Sequence, residues 1–293
     1  MQDNLYKWIG KSENFFVQAL VTLFIPTFFF HRFYQKQINL FKKAILLLSF
    51  DIDFKEDVKA IPKLIEELSQ YDIKAGFACV GHWVKKFPSS HKLIVEAGHE
   101  IINHSNTHPN NEQTNPNQFF NQLLISEIKK EIKEADKIIK DYLETSPSGF
   151  RTPHFGHLNT NKIYPVLKEL GYRYSSSTLA IRSDSFGAPF IHPEGIWELP
   201  VTTCPYHPHS VFDTWHSLRE KGGWHKKRDS FLKTFDKILN FAVEKRIFIN
   251  IYFDPKDMVE NRYSKGWLNI LAQYKNDLMI LTGAKIVEKL NSI

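Results

Sequence analysis

Cysteine is scarce in this chain of 293 residues, which contains only Cys79 and Cys204. Two thiols that lie far apart, outside any metal-binding spacing, do not form a disulfide framework. The sequence therefore predicts two buried free thiols and a reducing compartment. Blocks of like charge are also absent, because the net charge of +6 comes from lysines and arginines scattered among many acids. This distribution argues against a nucleic-acid-binding arm and mildly favours an anionic partner or a membrane surface.

Internal repeats, low-complexity segments and proline- or serine-rich linkers are absent too. Apolar strand-like runs instead alternate with amphipathic helical segments, which is typical of a parallel α/β sheet or barrel. We therefore predict a single barrel domain over residues 43–293, preceded by an apolar, aromatic extension over residues 1–42. Predicted strands cover 44–48, 75–80, 100–103, 172–175, 197–201, 247–253 and 278–281. Predicted helices cover 57–70, 92–97, 117–143, 160–170, 230–244, 266–274 and a closing helix from 284.

The apolar run of the extension, residues 15–30, is shorter than the roughly 20 residues that a membrane-spanning helix needs. It also lacks the small-residue cleavage site of a secretory signal. More basic residues follow the run than precede it, so the main domain is predicted to lie in the cytoplasm, with membrane association at the inner face. Two alternatives stay open for the run itself. It forms an in-plane or re-entrant membrane anchor, or a helical hairpin that packs on the barrel or on a second subunit.

The first predicted strand, an unbroken apolar run from Ala44 to Leu48, leads into Asp51 and Asp53. Such a run fits a strand buried on both faces of a parallel sheet. The carboxyl ends of strands in these sheets are the edge where ligands bind and catalytic groups collect. The sequence therefore predicts a functional site at this edge.

Three further strand ends carry polar groups. His104 and His108 follow the strand at 100–103, and two imidazoles with one carboxylate fit a catalytic divalent-metal site. Arg151 would lower the pKa of a neighbouring carboxylate and orient it. Asp254 lies after the strand at 247–253. Each residue also has an alternative role without chemistry. His104 and His108 could be ordinary turn histidines, Arg151 could form a surface ion pair, and Asp254 could cap the following helix.

These motifs, taken in order, resemble those of the polysaccharide deacetylase family, the NodB-homology carbohydrate esterases. Ser49-Phe-Asp-Ile-Asp53 resembles the first motif in its Asp-x-Asp form, and His104-Ser-Asn-Thr-His108 matches the His-Ser/Thr-x-x-His motif. Arg151-Thr-Pro-His154 matches the Arg-x-Pro motif. The resemblance covers roughly residues 44–293 and implies a distorted (β/α) barrel of the NodB-homology type.

The resemblance also implies the roles of the residues. It makes Asp51 the general base, held and tuned by Arg151, and makes the backbone N–H of His154 a donor to the oxyanion. The expected cofactor is one divalent metal, zinc, with three ligands: Asp53, His104 and His108. One departure stands out, since Asp254 occupies the place of the histidine that serves as general acid in the family. Either Asp254 is an acid with a raised pKa, or a loop histidine (His207, His209 or His225) donates the proton, or hydrolysis has been lost.

The implied reaction is hydrolysis of an N-acetyl or N-formyl group from an amino sugar in a glycan. If the extension lies in a membrane, a polyprenyl-linked sugar becomes the more specific expected substrate. Four aromatic residues could stack on sugar faces, although ordinary packing explains them equally well: Trp197, Tyr206, Trp215 and Trp224. Two other classes of function remain open: a catalytically degenerate fold that binds sugar, and a glycosyltransferase in which Asp51 and Asp53 hold a nucleotide-sugar metal.

Overall fold

The strand β1 (Ala44–Ile52) lies at the centre of the fold and is buried along its whole length. Its apolar residues and its parallel neighbours on both sides explain this burial. The computed structural model describes residues 2–38, 40–154, 160–219, 225 and 230–292. In these residues the remaining strands are β2 (Gly76–Cys79), β3 (Glu100–Asn103), β4 (Gly149–Phe150), β5 (Tyr174–Ser175), β6 (Phe190–Ile191), β7 (Trp197–Glu198), β8 (Thr203–Cys204), β9 (His207–Val211), β10 (Phe248–Phe253) and β11 (Leu278–Leu281).

Helices surround the sheet and precede it in the chain. Those that the structure describes are α1 (Gln2–Lys11), α2 (Phe15–Phe24), α3 (Pro26–Tyr34), α4 (Lys55–Gln70), α5 (Gly81–Lys86), α6 (Pro88–Glu96), α7 (Ile125–Leu143), α8 (Tyr164–Glu169), α9 (Ser230–Lys245), α10 (Pro255–Glu260), α11 (Trp267–Gln273) and α12 (Gly283–Leu290). A π-helical turn also covers Trp215–Arg219.

The strands follow the order β10-β1-β2-β3-β4-β5-β7-β6, and β11 pairs with the first half of β1. All these pairs are parallel except β6 with β7, while β8 and β9 form a separate antiparallel hairpin. The sheet curls so that the backbone N–H of Thr202 donates to the carbonyl of Asn250 in β10 over 2.8 Å. The predicted distorted (β/α) barrel is confirmed as this curled sheet, and its parallel strands bring their carboxyl ends to one edge.

The largest error in the predicted elements is the start of α7, which was expected at residue 117 and begins at Ile125. Leu124 is extended, and its backbone N–H donates to the carboxylate of Glu127 over 2.7 Å. This contact caps the helix. The preceding apolar residue Phe120 is buried in a short 3-10 turn instead. The β8–β9 hairpin was not predicted either, because this part of the chain has no regular apolar period.

The third helix of the extension shares the main apolar core with the barrel. Phe29, Phe30, Phe33 and Tyr34 of α3 are at most 1% exposed. The hydroxyl of Tyr34 accepts a hydrogen bond from the backbone N–H of Thr203 in β8 over 2.9 Å. The extension is therefore packed on the barrel through α3, as one of the two alternatives predicted.

The second helix, α2, presents an apolar face to solvent. Phe15, Phe16, Leu23 and Phe24 are 74–75% exposed, and Leu20 is 58% exposed. Within the described residues, no single helix is long and apolar enough to cross a membrane. Taken together, α2 and α3 have the length and apolar composition of a membrane span, but the chain bends by 99° at the break between them.

Candidate active site

A cavity of about 480 Å³ opens at the carboxyl ends of β1, β3 and β10. It gathers side chains from six separate stretches of sequence, as the parallel arrangement of the strands predicts. Its described lining residues are Asp51, Asp53, Phe54, His104, His108, Asn110, Asn111, Glu112, His154, Leu179, His209, Ser210, Val211, Asp213, Trp215, His216, Tyr252 and Asp254.

Asp53, His104 and His108 converge at this cavity as the sequence predicted. One carboxylate oxygen of Asp53 lies 3.3 Å from Nε2 of His104, and the other lies 3.4 Å from Nε2 of His108. These ligand atoms all lie within 4.8 Å of one another. One carboxylate and two imidazoles at this spacing could hold a single divalent cation.

The loop after β3 adopts a strained backbone that brings its two histidines together. Ser105 and His108 have φ values of 64° and 48°, in the left-handed region that non-glycine residues seldom occupy. The Asn103 side-chain oxygen accepts from the backbone N–H of Ser105 over 2.8 Å, and the Ser105 hydroxyl accepts from that of His108 over 3.1 Å. These bonds hold the strained turn, so a helical spacing of the histidines is excluded.

Two features of the triad fit a metal ion. The Nδ1 atom of His104 lies 2.8 Å from the carbonyl oxygen of Arg151, which fixes the proton on Nδ1 and directs the Nε2 lone pair toward Asp53. The Oδ1 atom of Asp53 is buried and has no hydrogen-bond partner. A buried carboxylate oxygen that lacks a donor is costly, and a bound cation would satisfy it.

The carboxylates of this site have opposite protonation tendencies. Burial acts against ionisation of Asp53, but the imidazoles of His108 and His104 hold its pKa well below the usual range. Burial raises the pKa of Asp51, although the Arg151 guanidinium acts in the opposite direction. Burial also lowers the pKa of His108 to about 3, which keeps this ligand neutral. Arg151 does lower the pKa of Asp51, as predicted, but burial raises it by more, so the net shift is upward.

Arg151 and Asp51 form a buried ion pair next to the triad. The guanidinium Nη1 lies 2.5 Å from Oδ1 of Asp51, and Nη2 donates to the Ser176 hydroxyl over 2.9 Å. The second oxygen of Asp51 lies 3.7 Å from Nε2 of His104. The guanidinium also lies over the Tyr252 ring at 5.2 Å. Arg151 is fully buried, so the alternative of a surface ion pair is wrong.

Asp254 lines the same cavity and is buried. The Thr214 hydroxyl donates to its Oδ2 over 2.6 Å, and Arg219 lies 3.9 Å from that oxygen. Burial raises the pKa of Asp254 well above its usual value against the effect of Arg219, and the nearby carboxylates of Asp57 and Asp257 raise it further. Its side chain makes no helix-capping hydrogen bond, so the alternative role in capping α10 is not supported.

His216 is a cavity residue that the sequence analysis missed. Its Nδ1 lies 2.8 Å from a carboxylate oxygen of buried Asp213, and that oxygen also accepts from the Tyr252 hydroxyl over 2.6 Å. A carboxylate that holds one imidazole nitrogen orients the ring and stabilises its protonated form. The Asp-x-x-His spacing of 213–216 was a signal in the sequence, but the π-helical turn that uses it could not be foreseen.

The other predicted residues lie in different places. His154, with a φ of 51°, lines the cavity, and its ring centre lies 4.7 Å from that of His108. Trp197 is the first residue of β7, at the opposite edge of the sheet, and its indole N–H donates to Asn291 over 2.8 Å. This placement does not support a contact between Trp197 and a substrate in the cavity. Tyr206 lies in the β8–β9 turn with Lys237 over its ring at 5.0 Å, outside the described lining.

One predicted aromatic residue, Trp224, lies outside the described residues. Trp215 is the tryptophan of the described cavity lining; it is 40% exposed and stacks on Phe54, another lining residue, with ring centres 5.7 Å apart. Among the predicted histidine donors, His209 lines the cavity, whereas His207 and His225 lie together near Cys204.

Comparison with known proteins agrees with the motifs. The sequence model of the polysaccharide deacetylase family matches residues 39–175, which confirms the family recognised from the motifs for this part of the chain. A peptidoglycan-N-acetylglucosamine deacetylase of Bacillus cereus is 36% identical over 123 residues, which are 42% of this chain and 40% of that protein. The chain thus spans about two fifths of the length of this curated relative.

Solved structures support the fold. A Mycobacterium smegmatis protein named for polysaccharide deacetylases superposes with a TM-score of 0.70 and 15% identity, over 87% of this chain and 93% of that one. A CE4 family pseudoenzyme from Bacillus anthracis gives a TM-score of 0.52 and 15% identity, over 85% of this chain and 66% of that one. At these identities the similarity establishes the architecture alone.

Proposed function

We propose that this protein hydrolyses the N-acyl group, acetyl or formyl, of an amino sugar in a glycan or a lipid-linked sugar precursor. The observation that carries the proposal is the placement of the Asp53–His104–His108 triad beside the buried Asp51–Arg151 pair in one cavity. The family match over residues 39–175 supports the same class of reaction.

A divalent cation such as zinc, held by Asp53, His104 and His108, would supply Lewis acidity that activates water and polarises the acyl carbonyl. Asp51 accepts the proton of the attacking water, and Arg151 holds its carboxylate in place. The backbone N–H of His154 is the predicted donor to the oxyanion. Its left-handed backbone places this residue at the cavity beside His108.

The leaving amine needs a proton, and two groups at the cavity can supply it. Asp254 is the donor predicted from the sequence, and the raised pKa of its carboxyl keeps the proton that a donor must carry. His216, oriented by Asp213, is the second donor. Single variants distinguish the two roles.

We expect Asp254→Asn to lower kcat on an N-acetyl amino sugar by about 10²- to 10⁴-fold, the usual contribution of a general acid. Acetate release from an activated phenyl ester should change little, because its leaving group needs no protonation. His216→Asn is the matched comparison. The opposite result is that His216→Asn keeps its ester hydrolysis while losing amide hydrolysis, and that Asp254→Asn loses both activities equally. In that case His216 is the donor and the assignment of Asp254 is wrong.

The apolar face of α2 supports a lipid-linked substrate. The described segment 2–38 carries four basic residues, Lys7, Lys11, Arg32 and Lys36, and two acidic ones. Exposed aromatic and leucine side chains on one helix are typical of a helix that lies in the interface of a bilayer.

The extension packs against a strand that lines the cavity. His209 of β9 lines the cavity, its Nε2 lies 3.1 Å from the carbonyl oxygen of Ile9 in α1, and its ring stacks on Phe29 of α3 at 6.0 Å. A lipid held in a membrane at the extension would therefore lie on the same part of the molecule as this wall of the cavity. On this basis we propose that the protein acts at a membrane surface, with the cytoplasmic side as the expected one.

Replacing Phe24 by Glu should weaken binding to vesicles of phosphatidylglycerol and phosphatidylethanolamine by about tenfold or more. The reason is that a benzyl group buried in lipid contributes about 1.5–3 kcal/mol. Co-sedimentation measures the bound fraction. The control is Ile191→Glu, which changes a 57% exposed apolar residue in β6. Equal binding by wild type, Phe24→Glu and Ile191→Glu would contradict the membrane proposal.

A catalytically degenerate, sugar-binding protein is the second candidate, because Asp254 stands where the family places a histidine. The two functions differ in one assay. The purified, metal-loaded protein is incubated with N-acetylated chitooligosaccharides and amino-sugar lipids, and released acetate and new primary amine are measured. Binding of these ligands without any release would support the degenerate alternative.

A further inference from the structure

A second cluster of metal-ligating groups lies outside the candidate active site. The Cys204 sulfur is 3.7 Å from Nδ1 of His207 and 3.4 Å from Nε2 of His225. The three ligand atoms all lie within 4.8 Å of one another. Zinc bonds of about 2.3 Å to sulfur and about 2.0 Å to nitrogen at tetrahedral angles separate S and N by about 3.5 Å. The observed spacing therefore matches a zinc site.

The surroundings of the cluster also fit a metal. Cys204 is fully buried and His225 is 2% exposed. The Cys204 sulfur and one nitrogen of each imidazole lie close enough together for a single cation to contact all three. The other nitrogen of His225, Nδ1, lies 3.1 Å from the Ser230 hydroxyl, a contact that directs Nε2 toward the sulfur.

We propose that Cys204, His207 and His225 bind a zinc ion, separate from the cation of the Asp53–His104–His108 triad. One thiolate and two imidazoles form a donor set that zinc favours over magnesium or calcium. Three protein ligands leave the fourth tetrahedral position to water or to another group.

This zinc would join two segments that border the cavity. His207 begins β9, which lines the cavity with His209, and the backbone N–H of His225 donates to the carbonyl of Ser217 over 3.1 Å. Ser217 belongs to the π-helical turn that carries the cavity residue Trp215. The expected role of the zinc is to fix this turn, so its loss should raise KM more than it lowers kcat.

Cobalt substitution tests the proposal without any activity assay, because a cysteine ligand gives Co²⁺ a thiolate charge-transfer absorption that aspartate and histidine do not. Wild type is expected to bind two Co²⁺ ions and to show this band. Cys204→Ala should bind one ion and lose the band, while Asp53→Ala should bind one and keep it. Cys79→Ala is the matched control, because Cys79 is also a buried cysteine but its sulfur donates to the Phe77 carbonyl over 3.4 Å and is not part of the cluster. This variant should bind two ions and keep the band.

Two further variants guard against misfolding of Cys204→Ala. His207→Asn changes a half-buried ligand and should also remove one cobalt ion. Zinc should raise the melting temperature of Asp53→Ala, which lacks the other site, but not that of Asp53→Ala/Cys204→Ala. A wild-type protein that binds one cobalt without the thiolate band, or a Cys204→Ala or His207→Asn variant that binds two, would overturn the proposal.

Discussion

Asp53→Ala is expected to lose the metal that we propose for the active site and with it nearly all of the proposed deacetylation. The variant removes the carboxylate whose two oxygens lie 3.3 and 3.4 Å from His104 and His108. Removing a group that only supports a ligand already costs about 10- to 100-fold in metal affinity or activity. Loss of the ligand itself should exceed this range, to at least about 10³-fold in kcat/KM. His104→Ala should behave in the same way.

The measurement is elemental analysis together with acetate release. Asp57→Asn is the matched control for the metal content, since Asp57 is a buried carboxylate four residues along the chain, next to Arg219 rather than the triad. Burial raises the pKa of Asp57 to about 7 in spite of Arg219, so an amide there resembles its protonated form. A metal content in Asp53→Ala and His104→Ala that equals that of wild type would mean that the site is wrongly assigned.

Asp51→Asn should retain the metal and lower kcat by about 10²- to 10⁴-fold, because an amide cannot accept the proton of the attacking water. KM should change little, since Asp51 is assigned to the reaction and not to substrate binding. The change also removes the charge partner of buried Arg151. Breaking a buried ion pair costs about 3–5 kcal/mol, so part of the stability is expected to be lost as well.

The stability effect is separated from the catalytic effect by a second variant. Ser176→Ala removes a different hydrogen-bond partner of the Arg151 guanidinium, 2.9 Å from Nη2, and leaves Asp51 in place. This variant should lose melting temperature while keeping most of kcat. Unchanged turnover by a folded, metal-loaded Asp51→Asn would contradict the role of Asp51 as the base.

The metal triad could be predicted because it depends on local rules. Asp53 follows β1 and His104 follows β3, two apolar strands of one parallel sheet with β2 between them, and parallel strands end at the same edge. β1 and β2 are paired in register, as are β2 and β3. The strand before Arg151, β4, was not predicted. The strand ends indicated where these residues lie, but the roles of the triad residues as ligands came from the resemblance to the polysaccharide deacetylase family.

The far wall of the cavity could not be predicted in this way. Trp215 and His216 lie in a π-helical turn within a segment that has no apolar period. Trp215 stacks on the distant Phe54, and His216 is held by Asp213 three residues before it. Trp197 was expected at the substrate, but the register of β7 places it at the opposite edge, where it contacts Asn291. The cluster of Cys204, His207 and His225 could not be predicted either, because the β8–β9 hairpin that holds Cys204 and His207 together does not show in the apolar pattern.

The most direct test of the account is the balance of products from one substrate. Metal-loaded wild-type protein and the Asp51→Asn variant are each incubated with an N-acetylglucosamine oligosaccharide. The amounts of acetate and free amine that they release are then compared. The account predicts equal amounts of acetate and amine from wild type and about 10²- to 10⁴-fold less from the variant. Bound oligosaccharide that yields neither product from wild type, with the triad metal in place, would contradict it.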